Sequence, residues 1–198
     1  IKMLKRTFDI VNGATPKSSV LEYWNGDIPW VTPDDLGCLF SDKVRTTKRM
    51  ISREGFDSCG VSMIPKGSLI LSTRAPIGHI AIAGTAICTN QGCRSLVFRG
   101  DDVTKFFYYE LLTSCQKLVS LGQGSTFREL RREKLASIYL VTPPIDEQIV
   151  IAAFLDSETQ RIDRLINKIN ESVKILYEYR TALISAAVTG KIDVREEV

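Results

Sequence analysis

The chain has 198 residues, 44% of them hydrophobic and 8% aromatic, with 26 Lys/Arg against 23 Asp/Glu for a formal charge of +3. That is enough apolar material to bury a core on a length between one and two domains, as in an ordinary globular protein. No apolar run approaches the roughly 18 residues that span a bilayer, and Ile1–Arg6 lacks the long apolar region of a signal peptide, so a cytoplasmic address without a membrane partner is expected.

From Phe8 to Leu36, turn dipeptides (Asn12-Gly13, Thr15-Pro16, Asn25-Gly26, Thr32-Pro33) surround one short apolar run, Ile28–Val31, which reads as loop, strand, loop. Ser41–Arg53 carries Lys43, Arg45, Lys48, Arg49 and Arg53 against Asp42 and shows neither apolar period, which predicts a surface loop or a short exposed helix. From Val61 to Phe98, β-favouring runs at 61–64, 68–72, 79–83, around Cys88 and at 95–98 alternate with turn signals, the pattern of a compact twisted β core.

Asp101-Asp102 reads as a cap for a helix over Val103–Leu121, where Phe106, Phe107, Leu111, Leu112, Cys115, Leu118 and Val119 recur at helical spacing, and Gly122 onward ends it. After the mixed-charge turn 128–134, Ser137–Val141 is a candidate closing strand. Pro143-Pro144 with Asp146 and Glu147 then suit the start of a long helix, because proline is tolerated in a first turn and acids favour the positive end of the helix dipole.

In that helix Leu155, Ile162, Ile169, Leu176 and Leu183 stand seven residues apart without a break, and Leu165/Ile166, Ser172/Val173, Tyr179/Arg180 and Ala186/Ala187 fill about half of a second seam. Five heptads in register point to a coiled coil; a single helix lying on its own domain would need only three or four turns of stripe. At 1.5 Å per residue the helix would be about 65 Å long. The expected fold class is therefore α+β: a mixed, β-rich domain with short helices over 1–142, then a long protruding coiled-coil helix and tail over 143–198.

Charge divides the same way. Residues 1–145 hold 19 basic against 13 acidic side chains, a net of +6, whereas 146–187 hold 5 against 7. A basic front domain is compatible with a polyanion partner. Five cysteines (38, 59, 88, 93, 115) without a Cys-x-x-Cys pair argue against a disulfide framework or a zinc site.

Several segments, taken in order, resemble the specificity subunits of type I restriction-modification systems. They are Gly13-Ala14-Thr15-Pro16, Ile28–Leu36, Gly67–Ile70 with Ser72–Gly78, Pro143–Gln148, and above all Ala187-Val188-Thr189-Gly190-Lys191-Ile192-Asp193-Val194-Arg195. The resemblance covers nearly the whole chain. It implies a target-recognition domain followed by a spacer helix, and a non-catalytic DNA-binding role beside modification (methyltransferase) and restriction subunits. Family members usually carry two such units, with the spacer helices packed antiparallel. With one unit, this chain would be a fragment, the C-terminal half of a longer subunit, or a half-size subunit pairing with a second copy; the initial Ile and the terminus-like end favour a C-terminal unit or truncated form.

No motif for independent catalysis appears: no Gly-x-x-x-x-Gly-Lys-Ser/Thr, no Gly-x-Gly-x-x-Gly, no metal-ligand spacing and one histidine, His79, in an apolar run that suits packing better than base catalysis. No catalytic residue, metal or cofactor is therefore assigned. Double-stranded DNA would need cations for phosphates and forked or amide groups for base edges. The candidates are Lys43, Arg45, Thr46, Lys48 and Arg49; Ser72 and Arg74; Asn90 and Gln91; and Ser125, Thr126 and Arg128. Loop 41–53 and the Arg74 turn are the expected centre of that face. For the helix, Leu155, Ile162, Ile169, Leu176 and Leu183 are the expected contact with a second specificity half or a second copy. The competing reading, an assembly protein that dimerises through its helix and binds no DNA, explains the heptads but not the basic front domain.

Overall fold

Leu69–Ser72 and Ile80–Ala83 are short runs in which every residue is buried. In a strand, successive side chains point to opposite faces, so runs buried at every position belong in the middle of a sheet covered on both sides. The computed structural model, which describes residues 1–39, 41–74, 76–124 and 128–193, places them there.

In chain order the elements are β1 (Lys2–Met3), α1 (Leu4–Thr7), β2 (Phe8–Asn12), a 3₁₀ turn at Leu21–Tyr23, β3 (Trp24–Val31), α2 (Pro33–Gly37), β4 (Lys43–Val44), β5 (Met50–Ile51), α3 (Arg53–Ser58), β6 (Leu69–Ser72), β7 (Ile80–Ala83), β8 (Cys88–Thr89), β9 (Cys93–Phe98), α4 (Thr104–Thr113), α5 (Cys115–Ser120), α6 (Arg132–Ala136), β10 (Tyr139–Leu140) and α7 (Ile145–Val188). A five-stranded sheet runs β2-β9-β6-β7-β4, antiparallel except for the parallel edge pair β4–β7. A three-stranded sheet runs β5-β3-β8, and β1 pairs with β10. The α+β expectation holds.

The alternation sorts the core. Ile10, Leu69, Leu71, Ile80, Ile82 and Leu96 pack on one face against Phe106, Phe107 and Leu111 of α4 and Leu118 of α5. Val44, Ile70, Ala81, Ala83 and Cys93 pack on the other against Val31, Leu36, Ile64 and Ile87. Leu69, Ile70 and Leu71 are each fully buried, and burial at that depth contributes about 1.5–3 kcal/mol per side chain. A smaller cluster of Trp30, Ile51, Val61 and Cys88, with Trp24, Ile28 and Phe56, holds the three-stranded sheet.

Four local expectations change. The cationic stretch 41–53 is not featureless: it contributes β4 and β5, and Ser52 caps α3 by accepting from Gly55 N at 3.0 Å. Of 61–64, only Ile64 makes a bridge, to Ile87. The single helix over 103–121 is two, broken at Ser114, where the neighbouring Thr113 hydroxyl bonds back to Glu110 O. Asp102 does not cap α4, whose N-cap Val103 has no side-chain cap; the Val103 N–H is taken instead by Gln148 Oε1 at 2.9 Å.

The chain divides into two compact units, Ile1–Ala152 and Ala153–Val198. The 44-residue α7 gives its first turns to the first unit, where Gln148 and Ala152 are buried. In the second unit Ile162, Ile169, Leu176 and Leu183 are 45–63% exposed and Leu155 is half-buried. Among the described residues no helix is long and apolar enough to cross a membrane. Val194 and Arg195 of the tail lie outside the described residues.

Candidate nucleic-acid interface

The loop before β5 is built from its backbone outward. Thr32 and Asp35 form a capping box at the start of α2: Thr32 Oγ1 accepts from Asp35 N at 3.2 Å, and Asp35 Oδ2 accepts from Thr32 N at 2.9 Å. Asp35 Oδ1 reaches across to accept from Lys48 N at 3.0 Å. Thr47 Oγ1 accepts from Trp30 N at 3.2 Å and donates to Arg49 O at 2.6 Å. Lys48 Nζ pairs with Asp34 at 2.6 Å, and that hydrogen bond and charge hold its ammonium above the ordinary lysine range. The Arg49 guanidinium lies over the Trp24 ring, 3.7 Å from its centroid, and 5.4 Å from that of Trp30. Both indoles are fixed: Trp24 Nε1 donates to Lys17 O, Trp30 Nε1 donates to Ala14 O, and the rings meet edge to face at 5.2 Å.

From the buried Trp30 the contacts continue through Ala14. Gly13 passes so close to β8 that a Cβ there would stand 1.9 Å from Asn90 O, which no side chain could accept. Ala14 N donates to Thr89 O, and the Thr15 hydroxyl donates to Gln91 Oε1. Asn90 Oδ1 accepts from Gly92 N at 2.9 Å, shaping the turn that leaves Gln91 exposed. Arg94 Nη1 donates to Gln91 O, and its Nη2 lies 3.4 Å from Glu129 Oε1; Arg74 Nη2 binds the other oxygen at 2.9 Å. Burial lowers the affinity of Arg94 for its proton, against the pull of Glu129.

Ser72, a candidate for the DNA face, is fully buried: its hydroxyl donates to Pro76 O and accepts from His79 N, so it shapes the Arg74 turn from inside. Arg128 is exposed beside Glu129. Ser125 and Thr126 lie outside the described residues. His79 packs against Gly37, as an apolar-run histidine is expected to.

Lys43, Arg45 and Thr46 go elsewhere. Lys43 and Arg45 line a groove of about 410 Å³ with Lys66, Gly84, Thr104 and Lys105, beside the Asp42–Lys105 pair at 2.9 Å. Thr46 lines the adjoining hollow with Ser41 and Asp42. Lys43 is level with Ile82 and hence with Leu69, whereas Arg94 is level with Leu71 on the same central strand, β6. The candidates therefore fall into two groups: the exposed Arg49, Gln91 and Arg74, linked beneath the surface through Trp24, the buried Trp30, Thr15, Arg94 and Glu129, and a separate cationic groove at the β4 edge.

Sequence reasoning missed Trp24, Trp30, Thr15 and Glu129. The only hint was that the chain's two tryptophans flank one turn in a basic domain. The Arg49–Trp24 stacking and the Arg74–Glu129 pair join residues far apart in sequence.

A family model described as the type I restriction modification DNA specificity domain matches residues 2–174. The chain is 35% identical over 157 residues to the specificity subunit of the type I restriction enzyme MjaIX of Methanocaldococcus jannaschii, covering 78% of this chain and 36% of that protein. It is 25% identical over 175 residues to the EcoR124I/EcoR124II specificity subunit of Escherichia coli, covering 85% and 42%. Among solved structures, the HsdS subunit of Thermoanaerobacter tengcongensis matches with a TM-score of 0.64 at 23% identity, over 82% of this chain and 37% of that one. A chain from a study of complex assembly and conformational transition of the type I R-M system matches with a TM-score of 0.77 at 24% identity, over 93% and 44%. The chain spans about two fifths of the length of the relatives it matches.

Proposed function

The chain belongs to the type I restriction-modification DNA specificity family, and from that premise we propose that it is a non-catalytic, sequence-reading half of a specificity subunit. Residues 1–142 bind one half of a bipartite duplex site, and 143–198 form the spacer helix and tail. The observation that carries the DNA reading is the exposed set Arg49, Gln91 and Arg74. It offers guanidinium and amide groups, the types that pair with base edges, on loops anchored to a buried sheet. Lys43 and Arg45 supply phosphate-directed charge from the second group, and Thr46 a hydroxyl.

The spacer helix joins this half to a second half, fused or supplied by another copy, through Leu155, Ile162, Ile169, Leu176 and Leu183. Modification and restriction subunits assemble on the same scaffold in the cytoplasm, where the DNA is. A helix of 44 residues is about 65 Å long, comparable with two turns of DNA at about 34 Å each, which suits it to fix the spacing of two half-sites.

The test is selection from random duplexes by the chain assembled with its modification subunit, followed by sequencing of the bound pool. An enriched half-site or bipartite motif is expected. A pool with no enrichment would leave an assembly protein that binds no DNA as the better account.

A further inference from the structure

We propose that Arg49 is a base-reading residue, presenting its guanidinium fork to the O6 and N7 acceptors of a guanine in the major groove, with Trp24 as the residue that positions it. This rests on the DNA-reading function above and names a contact within it.

Three observations single out Arg49. The first is what its charge faces. Lys48 is paired with Asp34, Arg74 and Arg94 share Glu129, and Lys43 and Arg45 lie in the groove beside Asp42. Arg49 is stacked on an indole instead, and stacking occupies the face of the guanidinium while leaving the N–H donors at its edge in the plane. The second is rigidity. The Arg49 carbonyl is held by Thr47, Thr47 by the backbone of Trp30, the neighbouring Lys48 N–H by the buried Asp35, and β5 begins at the next residue. The third is access: Arg49 is exposed.

A phosphate contact asks only for a positive charge, which a lysine would supply equally well. A planar fork held at a set angle suits a planar two-acceptor partner, and guanine presents one. An arginine on an aromatic platform thus has the geometry of a reader rather than of a counter-ion.

The experiment compares the parent chain with Arg49→Lys and Trp24→Leu, each assembled with the modification subunit, by sequencing the pool bound from random duplexes and by titrating salt. Arg49→Lys keeps the charge and removes the fork. It is expected to lose about tenfold or more in preference at one G·C pair, with the other positions of the motif and the salt slope retained. Trp24→Leu is expected to relax the same position less strongly. If Arg49→Lys selects the parent motif unchanged, the inference is overturned while the DNA reading stands, whether or not overall affinity falls. If the parent itself selects no motif, the DNA reading fails and takes the inference with it. Thermal melting of the variants identifies any that fail to fold, and Arg49→Lys alone, at an exposed site, decides the matter.

Discussion

The side-chain amide of Gln148 donates to Asp102 Oδ1 at 2.9 Å, joining the first turn of α7 to the segment that leads into α4. The same amide donates to Pro143 O at 3.0 Å, and its oxygen accepts from Val103 N. Gln148 is 1% exposed, so one buried side chain settles three polar groups on two sides of a junction.

Replacing Gln148 by Leu would leave the Val103 N–H, Asp102 and the Pro143 carbonyl without that partner. A buried group stripped of its hydrogen bond costs about 1–3 kcal/mol, so Gln148→Leu should lower the unfolding free energy by about that much. Urea denaturation of parent and variant measures it, and equal midpoints would show that the junction is not held this way.

The cysteines differ in reactivity by burial. Burial, with Cys59 nearby, pushes the Cys88 thiol up to about 12 from an ordinary 9, and burial pushes Cys93 up as well, whereas Cys38 is exposed. At pH 8 iodoacetamide should modify Cys38 readily, and Cys88 and Cys93 only in denaturant. The raised values also set a sign: the folded state holds these protons more tightly than the unfolded one. Their contribution is complete below about pH 9 and is lost as pH rises through about 12. Stability should therefore fall less steeply over that window in Cys88→Ala than in the parent, as thermal melts at successive pH values would register.

Lys43 and Arg45 lie at the β4 edge, in a groove that Arg49 and Gln91 do not line. Changing both to Ala should weaken binding of the assembled complex to all duplexes and reduce the magnitude of its salt slope by up to about 2, without altering the selected motif. A changed motif would place them among the base readers instead.

The heptad residues carry a prediction of their own. Ile169 and Leu176 are 61% and 63% exposed in the single chain, and a seam residue buried between helices does not tolerate a carboxylate. Ile169→Asp with Leu176→Asp should convert a self-associated chain to monomers in sedimentation, with the thermal melt of the front domain unchanged. An unaltered mass would show that the apolar seam is not the contact.

What was legible in the sequence was whatever is written locally. The β6 and β7 runs are apolar at all but the last residue of β6 because both sheet faces are covered, and α7 declares itself by five unbroken heptads. The pairs β1–β10 and β4–β7 were not legible, since two-residue strands have no period to detect and exist only through their partners. The cap on α4 failed for the same reason: Asp102 is the right residue type one position before the N-cap, and its Oδ1 accepts instead from the side-chain amide of Gln148, far along the chain. At the candidate site the cations were found by type. Their sorting was not: Arg49 on Trp24 and Arg74 on Glu129 depend on chain crossings that no window contains.

The central strands β6 and β7 touch only their own interior, while the exposed Arg49 and Gln91 stand on loops at the margin. Heredity can therefore rewrite the margin without disturbing the interior. A lineage under pressure to recognise something new could explore substitutions at those few positions, each nearly neutral for folding, and inherit an intact scaffold throughout.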